Sequence, residues 1–191
     1  FLVYSAHDRC EYIHRDLIVQ RALESWDNKT VFYLPFSSGD PSGQEGSWNG
    51  FSWYFDGFRP FGLQPQTFIW TDRLVREDME LAFARLRDAE VVVLGGGRTD
   101  TGLERYRGLG EWYFGNPNAF QETLRDREFR GKLTAGFSAG ADQLGEHTCD
   151  SAPVQTFGLV RKVCTVLHFG PGSEGHVQFL ARKHPDCLVF G

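Results

Sequence analysis

The sequence predicts an α/β domain, a mostly parallel sheet with helices on both faces in three layers. Three observations predict it. Short apolar runs alternate with helical periodicities along the chain. Runs such as Val91 to Leu94 are continuously apolar, as strands covered on both faces are. A turn of small residues, Gly136 to Ala141, joins a predicted strand to a predicted helix, where open α/β sheets place their chemistry.

The elements follow in order. Phe1 to Ala6 reads as a first strand. Arg15 to Trp26 reads as a helix, with Val19, Leu23 and Trp26 on one stripe. Thr30 to Phe36 is a buried strand rich in Val, Phe, Tyr and Leu, closed by the turn cluster Ser37 to Pro41. The aromatic segment Trp48 to Phe61 reads as a helix on the sheet, part of which could line a cleft. Gln66 to Thr71 is the next strand. Arg76 to Ala89 is a helix with Met79, Ala82, Phe83 and Leu86 at helical spacing. Acidic residues Glu77, Asp78 and Glu80 sit near its start, where the helix dipole favours them. Val91 to Leu94 is a strand, Asn118 to Phe129 a helix and Leu133 to Phe137 a strand. Val163 to Phe169, Glu174 to Lys183 and Leu188 to Phe190 complete the series as strand, helix and strand.

At 191 residues, with no repeat, linker or low-complexity tract, the chain reads as one domain over 1–191. It starts without Met and stops on an apolar segment, so the domain is expected to be incomplete at either terminus. A hydrophobic share of 41% suffices for a core, and a net charge of −5 with no basic run argues against a nucleic-acid surface. No apolar run is long enough for a bilayer. Four cysteines without CxxC spacing read as reduced thiols of a cytoplasmic protein. No clustered Cys/His set predicts a metal, and no phosphate-binding glycine motif predicts a nucleotide, so no cofactor is expected.

The sharpest chemical feature is Gly136-Phe137-Ser138-Ala139-Gly140, a G-x-S-x-G turn after a strand. Such an elbow exposes a serine at a helix N-terminus, and its tightness demands small neighbours. Ser138 is the predicted nucleophile. Serine needs a base. Of six histidines, His168 follows the serine and closes a predicted strand on the expected rim, and His7 follows the first strand and could reach that rim as a binding group. The acid that orients the base is expected at Asp150, with Asp142 and Glu146 as alternatives. The run Gly95-Gly96-Gly97 lets backbone N–H groups approach an oxyanion. Gly96, Gly97 and Ala139 are the expected oxyanion donors.

These motifs together resemble the peptidase E and cyanophycinase serine peptidases. The resemblance rests on Val92-Val93-Leu94-Gly95-Gly96-Gly97, the Ser138-Ala139-Gly140-Ala141 elbow, His168-Phe169 and the earlier Tyr33-Leu34-Pro35-Phe36. It implies a class I glutamine amidotransferase-like (flavodoxin-like) fold with serine at the elbow. It implies hydrolysis of small aspartyl peptides, with Ser138 as nucleophile and His168 as base. The family usually carries Asn or Gln where this chain has Arg98, and Pro preceded by Asn or Asp where it has Leu167 and Val166. Arg98 could bind a substrate carboxylate bidentately. The expected partner is a small peptide, and a homodimer is the oligomeric form considered. An α/β-hydrolase-type esterase shares the elbow, and a non-catalytic binding domain could keep the fold.

Overall fold

The computed structural model describes residues 1–148 and 154–191. Five strands, β1 (Leu2–Tyr4), β2 (Thr30–Leu34), β3 (Gln64–Thr67), β4 (Val91–Leu94) and β5 (Leu133–Phe137), form one sheet in the order β1-β5-β4-β2-β3. Every pairing is parallel. The side chains of β2 and β4 alternate between two separate cores, as period-two strands buried on both faces must. Phe32, Leu34, Val92 and Leu94 enter one core, and Val31, Tyr33, Val91 and Val93 enter the other.

The helices α3 (Arg76–Asp88), α4 (Thr99–Phe114) and α5 (Ala119–Phe129) cover the first face. They insert Met79 and Phe83, Leu103 and Tyr106, and Phe120 and Leu124. The second face is covered by a π-helical turn, Ile13–Val19, continued by α1 (Gln20–Leu23), and by α2 (Pro41–Asp56). These contribute Ile18, Val19, Ala22, Phe51 and Phe55. The predicted three-layer α/β architecture is the one observed.

Several boundaries differ from expectation. Trp26 lies beyond α1 and is 96% exposed, because the helix stops at Leu23. The aromatic helix begins seven residues earlier than Trp48: Asp40 caps it through Gly43 N–H, and Pro41 occupies its first turn, which suits a residue without an N–H. A short 3₁₀ turn, Arg59–Phe61, follows it. The helix α4 has no counterpart in the sequence reading. The last strands, β6 (Val163–Thr165) and β7 (Leu188–Phe190), with α7 (Glu174–Lys183) between them, form a separate two-stranded parallel sheet, not further strands of the main one. Among the described residues no helix is long and apolar enough to cross a membrane.

Candidate active site

The elbow forms where β5 meets α6 (Ala139–Leu144). Ser138 has φ 49° and ψ −122°, a conformation that costs a non-glycine residue energy and that surrounding structure must enforce. The enforcement is visible. The Ser138 N–H donates to the Tyr4 carbonyl at 3.2 Å, extending the β1–β5 pairing by one residue. The Ser138 carbonyl accepts from Ala141 and Asp142 N–H at 2.9 and 3.2 Å, starting the helix. A side chain at Gly136 would collide with the Gly140 carbonyl, and one at Gly140 with the Leu94 carbonyl. Both glycines of the motif are therefore needed for the turn to close.

Ser138 Oγ lies 2.9 Å from His168 Nε2. In the tautomer with hydrogen on Nδ1, the serine hydroxyl donates to Nε2, the arrangement a general base requires. His168 stands in the turn three residues past β6, not at a strand end. It too has positive φ, 54°, and its N–H donates to Ser5 Oγ at 2.5 Å. The tip after β1 thus fixes the backbone of His168.

Around this pair opens a cavity of about 560 Å³. Its wall includes His7, Asp8, Ser38, Ser47, Gly96, Gly97, Ser138 and His168. The loops expected after Phe36, Leu94, Phe137 and Val166 all reach it. Gly96 packs so closely that a side chain there would stand 3.3 Å from Ser138 Cβ. Gly97 has φ 131°, and a Cβ on it would meet the Ser37 carbonyl, which also accepts Arg98 N–H at 2.8 Å. Gln143, buried on α6, donates to Ser37 Oγ at 2.7 Å and to the Thr99 carbonyl at 3.2 Å. One amide thereby ties the Ser37 loop and the start of α4 to the elbow helix.

His7 is on the wall, its Nδ1 3.3 Å from Tyr54 Oη. Burial lowers its pKa against the opposing pull of Asp8, which favours the neutral ring. Behind it His14 is fully buried, with Nε2 2.9 Å from Tyr4 Oη. Burial, and secondarily His7, lower His14 from 6.5 to about 4.

The other predicted site residues fall as follows. Ala139 follows Ser138 as the first residue of α6. Arg98 caps α4 from outside: its side chain is 76% exposed and gripped by Asp100 at 2.7 Å, and it is not part of the cavity wall. The hydrogen bond to Asp100 raises the Arg98 pKa further and lowers that of Asp100. Asp142 is buried and Thr99 Oγ1 donates to its Oδ2 at 3.3 Å. Glu146 Oε2 accepts Lys162 N–H at 3.3 Å. Asp150 lies outside the described residues. Asp8, adjacent in sequence to His7, shares the wall with His168 and escaped the sequence reading. Its only signal was its place just past the first strand.

Volume alone does not select this site. A cavity of about 610 Å³ is walled by Trp70, Asp72, Glu104, Arg105 and Trp112, and its wall holds no serine, cysteine or histidine. Among the described residues no group of three or more His, Cys, Asp or Glu could hold a metal.

No family model matches the chain, and no curated protein matches it. Among solved structures it is similar to a peptidase from an acI-B1 Actinobacterium, with TM-score 0.63 and 16% identity over 99% of this chain and 77% of that one. At that identity the likeness shows the fold.

Proposed function

We propose that this protein is a serine peptidase of the peptidase E type that hydrolyses small aspartyl peptides. The observation that carries the reading is the 2.9 Å contact between Ser138 Oγ, held on a strained elbow, and His168 Nε2. The fold shared with a solved peptidase supports it. His168 accepts the Ser138 proton as Oγ attacks the scissile carbonyl. The N–H groups of Ala139 and of Gly96 or Gly97 hold the oxyanion. His168 then protonates the leaving amine, and water, activated by the same imidazole, releases the acyl group. Asp150 is the proposed acid that orients His168. His7 and Arg98 are the proposed substrate contacts, and Arg98 must release Asp100 to bind a substrate carboxylate. A small peptide is the proposed partner, a homodimer the proposed assembly and the cytoplasm the proposed location.

The test is labelling by a fluorophosphonate probe beside a Ser138→Ala control, followed by turnover of aspartyl dipeptides. The wild type should label and the control should not. Loss of the serine should cost on the order of 10⁶ in turnover. A folded wild type that stays unlabelled would sink the reading. Labelling with ester turnover but no peptide turnover would move it to an esterase.

A further inference from the structure

A thiol pair sits beside the segment that carries the base. In the small sheet Val163 pairs with Leu188, Cys164 with Val189 and Thr165 with Phe190. Cys187 stands in the bend just before β7, and its side chain packs against the same cluster as Cys164. The Leu188 N–H donates to the Lys162 carbonyl at 2.9 Å, which holds the register, and the Cys187 N–H donates to the His184 carbonyl at 3.0 Å, which closes the turn after α7. Cys164 is buried with Val166 and Leu180, and half-buried Cys187 packs against this cluster. Both thiols are free.

We propose that Cys164 and Cys187 form an oxidisable pair, a modification site at which a small-molecule disulfide closes a bond that fastens the segment carrying His168. The bond would close a loop of 24 residues, Cys164 to Cys187, with His168 inside it. Cys164 is buried, which also pushes its thiol pKa up, and Cys187 is half-buried, so the more accessible Cys187 reacts first. Cys187, as thiolate, attacks one sulfur of oxidised glutathione. That S–S bond breaks, and one glutathione leaves as thiolate and takes up a proton. Cys164 then gives its proton to solvent and attacks the Cys187 sulfur of the mixed disulfide, expelling the second glutathione. The protein loses two protons and two electrons, and the oxidant gains them as two molecules of reduced glutathione. The bond constrains the loop and thereby the approach of His168 to Ser138, a consequence that rests on the proposed catalytic pair. Formation of the bond does not.

The test is to incubate the full chain with oxidised glutathione, alkylate remaining thiols and map the unreduced digest by mass. A cross-linked peptide joining Cys164 to Cys187, two hydrogens lighter than its parts, is expected, with Cys10 still alkylated. Cys187→Ser should lack that peptide and leave Cys164 alkylated. Tryptic cleavage at Arg182 and Lys183 should slow several-fold in oxidised wild type and not in Cys187→Ser. Alkylation of both cysteines, a glutathione adduct that persists on Cys187, or pairing with another cysteine would overturn the proposal. Fluorophosphonate labelling run on both redox forms separates the two readings. A cross-link without labelling in either form sinks the catalytic pair and leaves the modification site standing. Labelling without a cross-link does the reverse.

Discussion

Ser138 and His168 meet at 2.9 Å but come from regions built to different standards. The serine ends a strand flanked by two others, and its neighbour Phe137 lies among the stacked rings of Tyr33 and Phe51. At the opposite end of that strand Arg127, wholly buried, donates to the carbonyls of Leu86, Ala89 and Leu133. His168 hangs from three-residue strands over a core of Cys164, Val166 and Leu180, with Phe169, Phe179, Leu188 and Phe190 exposed around it. Close packing leaves the serine one position. The histidine depends on a few bonds, among them that from its N–H to Ser5 Oγ. In this molecule Ser138 is held by the fold and His168 by its immediate contacts.

The largest test of that contrast concerns the acid. If His168 relies on local partners, Asp150→Asn should lower peptide turnover about 10⁴-fold by favouring the wrong tautomer, while leaving thermal stability unchanged. Asp8→Asn should cost far less. The reverse pattern in steady-state assays would assign the orienting role to the cavity wall. The second test strikes the buried side. His14 titrates near 6.5 when unfolded and about 4 when folded. Between those values the unfolded chain holds a proton that the native one lacks, so stability falls as pH drops from 6.5 through 4. The loss should approach about 3 kcal/mol. Melting curves across that range should slope accordingly, and His14→Gln should flatten them. Parallel curves for wild type and variant would refute the assignment. The smallest effect is expected of Ser5→Ala. Removing one hydrogen bond of about 1 kcal/mol should slow fluorophosphonate labelling about fivefold and lower the melting temperature by no more than about 4 °C. A fall in melting temperature with unchanged labelling would mean that Ser5 serves the fold, not the base.

The same contrast governs what the sequence revealed. Buried strands announce themselves, and Val91–Leu94 and Leu133–Phe137 lie where their apolar runs put them. The elbow was legible because its geometry demands glycines. Helix α4 was hidden by the glycines Gly102, Gly108 and Gly110, which lower helix propensity. Two of them exist for tertiary reasons: a side chain at Gly102 would strike Gln143 and Ser37, and one at Gly110 the Asn116 carbonyl. Arg98 is aimed outward by a partner two residues away, Asp100, whose grip no periodicity reports. The wall position of Asp8 depends on the path of the chain after β1, and loop paths carry no repeating signal.

Gly46 and Gly50 wall the reactive cavity from α2, and a methyl group added at either would meet nothing within 4 Å. The glycines of the elbow tolerate no such addition. A lineage, or an engineer, can therefore reshape the helix that faces Ser138 and leave the turn that presents it untouched.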